Sequence, residues 1–173
     1  MLSGAGSWTA GSVRPARADH GPEGYGRGKP LEEERSMTGL VATASIHIAA
    51  RPERVWAELV HPSATWMLGA NVETDYQPGS TITFEGQYQG KHFEDHGTVL
   101  EVDRPRTLRF THFSPSSGLP DVPENHHEVA ITLAPDPKGT RVTIRQDNND
   151  TPEAVEHSEE LWRSALASLA GHD

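Results

Sequence analysis

From residue 41 the chain alternates. Val41, Thr43, Ser45 and His47 share one parity and Ala42, Ala44, Ile46 and Ile48 the other, the pattern of a strand with one modest apolar face. Pro52 and Glu53 change the period. Proline is tolerated at the first helical position, where its missing N–H would have no partner, and Val55, Trp56 and Leu59 follow at helical spacing as a buried stripe. His61-Pro62 closes this short helix, and Ser63 to Gly69, carrying Trp66 and Met67, reads as a loop or short turn.

Strands are then predicted over Asn71 to Gln77, Thr81 to Tyr88, His92 to Val102, Arg106 to Phe113, His126 to Ala134 and Thr140 to Gln146. The breaks between them are Pro78-Gly79, Gln89-Gly90, Asp103-Arg104-Pro105, a Ser/Pro/Gly loop from Ser114 to Glu124, and Asp136-Pro137-Lys138-Gly139. Thr151-Pro152-Glu153 opens the last helix with a hydroxyl cap, a proline and an acid at the positive end of the dipole. Its stripe, Val155, Trp162, Ala165, Leu166 and Leu169, runs along a helix that reaches ~27 Å if it extends to Ala170, enough to span a sheet. The fold class is therefore α+β: six to seven antiparallel strands, a short helix after the first, and a long C-terminal helix covering one face.

Residues 1–36 show neither period and are dense in Gly, Pro, Arg, Ser and Glu, so they read as a disordered tail or as an extension ahead of a native start at Met37. The domain proper is 37–173. A chain of 173 residues with 34% hydrophobic content fills one domain without staples. The absence of cysteine removes disulfides, thiolate nucleophiles and thiolate metal sites, and fits a reducing compartment. A net charge of -10 disfavours nucleic acid and anionic membrane as partners, and no apolar run is long enough for a spanning helix, so the expected location is the cytoplasm.

Five phrases in order carry a resemblance: Ile48 to Trp56 (IAARPERVW), Gly97 to Pro105 (GTVLEVDRP), Thr107 to Phe110 (TLRF), Gly139 to Ile144 (GTRVTI), and the closing Trp162, Leu166 and Leu169. Over about Thr43 to Leu169 the chain resembles the START-like helix-grip superfamily, in particular the branch named after the activator of the ninety-kilodalton heat-shock chaperone's ATPase. The resemblance implies a curved antiparallel sheet gripping the C-terminal helix, with a cavity between them for a small hydrophobic molecule. It does not fix one activity, because relatives include carriers, polyketide cyclases, dehydratases and chaperone regulators. The chaperone activators of that branch carry an additional N-terminal domain for which residues 1–36 are not expected to substitute, so chaperone activation is not the expected activity.

Alternation extended from the apolar positions places Ile82, Phe84, Tyr88, Leu100, Leu108, Phe110, Val129, Ile131, Val142 and Ile144 toward the helix. The polar residues of that parity are His112, His127, Gln146 and, if no bulge intervenes, His92, Glu94 and His96. The expected ligand-binding set is Trp66, Phe84, Tyr88, Phe110, His112, His127, Gln146, Trp162 and Leu166. An enzyme of the cyclase or dehydratase kind would use His112 or His127 as base and Tyr88 as hydrogen-bond donor. A third reading is a protein-interaction module related to the chaperone ATPase activators, with its function on an exposed apolar patch and its interior filled by its own side chains.

Bland readings stand beside these. Strand-end histidines often sit hydrated at a sheet rim, and Trp56, Trp66 and Trp162 on buried stripes are core more often than ligand contacts. His92, Glu94 and His96 could face one metal, yet ten histidines make such clusters common, and no metal site or cofactor is assigned. Asp147-Asn148-Asn149-Asp150 lacks the glycine and distal glutamate of a calcium loop and reads as a solvated turn. No phosphate loop or serine-nucleophile elbow is present.

Overall fold

A computed structural model describes residues 37–171; the predicted tail at 1–36 lies outside them. The elements are β1 (Leu40–Ile48), α1 (Pro52–Leu59), β2 (Asn71–Glu73), β3 (Thr81–Tyr88), β4 (Lys91–Asp103), β5 (Thr107–His112), β6 (His127–Asp136), β7 (Gly139–Asn149) and α2 (Pro152–Leu169). Two single 3-10 turns, Pro115–Ser117 and Pro123–Asn125, punctuate the loop between β5 and β6. The fold is the expected α+β helix grip. Seven strands form one antiparallel sheet in the order β1-β7-β6-β5-β4-β3-β2. All neighbours are sequential except β1 and β7, which pair from Ala42 opposite Gln146 to Ile48 opposite Thr140.

Local chemistry explains the helices. Pro52 starts α1 and Glu53 sits in its first turn. In α2 the Thr151 hydroxyl accepts the Ala154 N–H at 3.1 Å, satisfying one of the four donors a helix start leaves over. Asn71 to Gln77 was expected as one strand, but pairing with β3 stops at Glu73. Side-chain turns take over, with Thr74 Oγ1 accepting the Tyr76 N–H and Asp75 Oδ1 the Gln77 N–H.

α2 lies across β1 and β7, and α1 over β6 and β7. Between helices and sheet, Ile82, Phe84, Val99, Leu108, Phe110, Val129, Ile131, Val142 and Ile144 pack against Val55, Trp56, Leu59, Trp162, Ala165 and Leu166. Trp66, Met67 and Ala70 of the 61–70 loop close the remaining side. Each such large apolar side chain contributes about 1.5–3 kcal/mol by leaving water.

Two expected inward residues are corrected. Leu100 is 38% exposed because β4 carries a bulge: Val99 pairs with Phe110 and Glu101 with Arg109, so two residues oppose one and Leu100 is the extra. N-terminal to that bulge the inward set is Phe93, Asp95, Gly97 and Val99, not the even-numbered positions. Tyr88 has the right parity but stands 37% exposed at the tip of the β3–β4 hairpin, past the end of the core.

Candidate functional site

The strand ends that carry the predicted polar residues converge. β5 and β6 pair His112 with His127, and β4 brings Asp95 beside them. His112 Nε2 lies 3.0 Å from Asp95 Oδ2, with both side chains 1% exposed. The edge of Phe84 meets the His112 ring at 5.4 Å between centroids, and the His127 ring lies 6.4 Å away. His127 Nδ1 is 2.9 Å from the Asp147 carbonyl. A carbonyl only accepts, so Nδ1 carries a hydrogen.

Burial sets the titration of both rings. It pushes His112 below its ordinary value, with Asp95 pulling the other way. His127 is lowered to about 4 by burial, the bond to the Asp147 carbonyl opposing it.

A second polar chain joins sheet to helix. Trp162 Nε1 donates to Gln146 Oε1 at 2.7 Å, Gln146 Nε2 to Ser158 Oγ at 3.5 Å, and Ser158 Oγ to Asn149 Oδ1 at 3.0 Å. These bonds use groups that would otherwise be stranded beneath α2, where an unmet donor or acceptor costs about 1–3 kcal/mol.

The structure thus brings together Phe84, Phe110, His112, His127, Gln146, Trp162 and Leu166 in one closed interior, with Trp66 in the same core cluster. Phe84 and Phe110 present no surface a water molecule could touch. Tyr88 is separate from them, so the proposed donor of a His–Tyr catalytic pair faces solvent. His92 and Glu94 are exposed and His96 half-buried, all on the opposite side of β4 from Asp95. Among the described residues no group of three or more His, Asp or Glu side chains forms a metal site.

Asp147 to Asn149, expected as a solvated turn, continue β7, and Asp147 and Asn149 are buried. Asp147 Oδ1 accepts the Glu128 N–H at 2.6 Å and Oδ2 the Thr38 N–H at 2.8 Å. Asn149 Nδ2 donates to the Leu40 and Gln146 carbonyls at 2.9 Å. The starts of β1 and β6 both fold onto the end of β7, and these side chains satisfy backbone groups that the ladder leaves over.

A cavity of about 620 Å³ opens at the other end of α2. Its apolar wall is Ile48, Ala49, Ala50, Val55, Leu169 and Ala170, and its polar rim is His47, Arg54, Glu58 and Ser168. His47 Nε2 is held at 3.0 Å by Asp136 Oδ1. Arg54 has no ion-pair partner among the described residues. The last carbonyls of α2 add partial negative charge at the same rim. Val55 is both a wall of this cleft and a member of the core, so the inner end of the cleft abuts the hydrophobic interior. Sequence reading missed the cleft because three separate segments build it and none carries a motif.

A model of the family described as Activator of Hsp90 ATPase homolog 1-like protein matches residues 49–172. Among solved structures, ChR145 from Cytophaga hutchinsonii is 40% identical, with a TM-score of 0.66 over 78% of this chain and 93% of that one. The Aha1 dimer from Colwellia psychrerythraea is 20% identical, with a TM-score of 0.58 over 76% of this chain and 93% of that one. DynU16, from the dynemicin biosynthetic locus, is 16% identical, with a TM-score of 0.63 over 76% of this chain and 46% of its own. At these last two identities the likeness is one of fold. No curated protein matches the chain.

Proposed function

The chain belongs to the Activator of Hsp90 ATPase homolog 1-like family, and from that premise we propose that it binds a small, largely apolar molecule in the cleft between the end of β1, α1 and the end of α2. The observation that carries this reading is the cavity of about 620 Å³ with an aliphatic wall and a polar rim. A pocket of that volume, with an aliphatic wall and polar groups along its edge, has the size of small-molecule sites. Phe84, Phe110 and Trp162, expected to hold the ligand, lie in the packed core and not on the wall of this cleft.

The test uses Ala49, an exposed residue of the cleft wall. Native protein extracted with organic solvent yields a bound compound by mass spectrometry, or a panel of lipids and aromatics raises the melting temperature. The Ala49→Trp variant, its cleft filled, loses that extract and that shift while keeping its own fold. An empty extract with no shift from any compound removes the reading.

A second reading, an enzyme of the cyclase or dehydratase kind, draws on the His112–Asp95 pair beside His127. An imidazole oriented by a carboxylate is the usual form of a general base. In the closed arrangement both members are sealed from solvent, so the binding reading stands first.

A further inference from the structure

Three of the tryptophans lie in the core, and two of their indole N–H groups are satisfied: Trp66 Nε1 donates to the Leu59 carbonyl at 3.0 Å and Trp162 Nε1 to Gln146 Oε1 at 2.7 Å. Trp56 differs. Its ring is 4% exposed, and its Nε1 is buried with no hydrogen-bond partner among the described residues. A buried orphan donor is uncommon in a folded protein and calls for an acceptor.

A water molecule is a poor candidate. Buried waters are held by two to four polar groups, and Trp56 offers one donor in a cluster whose other indoles are already bonded. Helix α1 turns Arg54 and Glu58 to the rim of the cleft, Val55 to its inner wall and Trp56 to the core behind it. Val55 lines the cleft and Trp56 follows it in α1, so a bound molecule that extends past Val55 under the helix would approach the indole.

Resting on the cleft-binding reading, we infer that Trp56 Nε1–H is the inner anchor of the ligand, and that the ligand class is an apolar molecule bearing a hydrogen-bond acceptor without a hydrogen of its own, such as a ketone, quinone or ether oxygen. An indole N–H donates and never accepts, so a hydroxyl or amine gains nothing there as a donor. An ionised head group is disfavoured at that depth because a buried charge needs a partner of opposite sign. Such a head belongs at the rim.

The test uses two near-isosteric probes, 1-acetylnaphthalene, which carries the acceptor, and 1-ethylnaphthalene, which lacks it. Calorimetric titration of the wild-type chain gives the acetyl probe about five-fold tighter binding or more, the ratio expected of one added hydrogen bond to a buried donor. Trp56→Phe brings the ratio to about one, and Trp66→Phe, which removes an indole already bonded to backbone, leaves it unchanged. By NMR of the wild type, the Trp56 indole proton moves downfield with the acetyl probe and not with the ethyl probe, a readout that does not depend on any variant folding. Equal affinity for both probes, or a ratio that survives Trp56→Phe, overturns the anchor while leaving the cleft reading standing. Binding of neither probe overturns both.

Discussion

His112 Nε2 and Asp95 Oδ2 face each other at 3.0 Å in a place neither shares with solvent. Two strands had to be cut to length for this: β4 bulges at Leu100, which swings Asp95 inward, and β5 ends at His112 opposite His127. The pair is a polar knot inside an aliphatic and aromatic core, and it holds β4 to β5 where backbone pairing thins to the single His96–Phe113 bridge.

Asp95→Ala removes the acceptor from a fully buried imidazole and is expected to cost about 3 kcal/mol, the scale for breaking a buried pair on one side. Asp95→Asn keeps an acceptor within reach and costs about 1 kcal/mol. Urea denaturation of the two variants checks the order; equal losses would mean that packing, not the bond to His112, sets the cost.

Gly97, between Asp95 and Val99, has a different constraint. A Cβ placed there would overlap the Thr111 carbonyl of the paired strand β5. Gly97→Ala must push backbone from backbone, and more than about 3 kcal/mol of stability is expected to go, above the usual range for overpacking because neither side can yield by a rotamer change. A melting curve within error of wild type would contradict the close approach.

Asp95 also marks where the sequence stopped being readable. Alternation carried correctly through β3, β5, β6 and β7, and the core from Ile82 to Ile144 was legible from it. In β4 the same rule, counted back from Leu100, selected His92, Glu94 and His96, because a bulge adds one residue without leaving a composition signal. Tyr88 failed for another reason: parity says which way a side chain points, and not whether the sheet still has a core beneath it. The cleft was invisible because Ala49, Val55 and Leu169 are ordinary apolar residues until three segments meet. Trp56 was legible as core, but the missing partner of its N–H is a property of the assembled interior.

On the outer face of the sheet, Arg109 donates to Glu128 Oε1 from Nε at 2.9 Å and from Nη2 at 2.6 Å, and to Glu101 Oε2 from Nη1 at 3.0 Å. Arg109 and Glu128 are nearly buried. Arg109→Met strands the Glu128 carboxylate away from its main cation and is expected to cost about 3–5 kcal/mol. The double variant Arg109→Met with Glu128→Leu recovers most of that loss, because neither member of the pair is then left without the other. Guanidinium denaturation of the three proteins tests this, and a double variant no better than the single would refute it.

His127 gives stability a pH dependence whose sign follows from its shift. In the unfolded chain the imidazole takes up its proton near pH 6.5, whereas in the fold burial holds it down to about 4. Between those values the unfolded state binds a proton that the folded state refuses. Stability is therefore full above about pH 6.5 and falls as the pH drops toward 4, by up to about 3 kcal/mol from this group. His112, lowered by the same desolvation, works in the same direction. Asp147, raised by burial, works in the opposite one, so the net curve mixes all three. His127→Gln isolates one of them, since its amide can still donate to the Asp147 carbonyl but takes up no proton. The difference between wild type and His127→Gln, followed by urea denaturation from pH 7 to pH 4, is expected to stay flat above pH 6.5 and to narrow in the variant's favour below it. A difference independent of pH over that range would show that His127 is protonated in the fold as readily as in the unfolded chain.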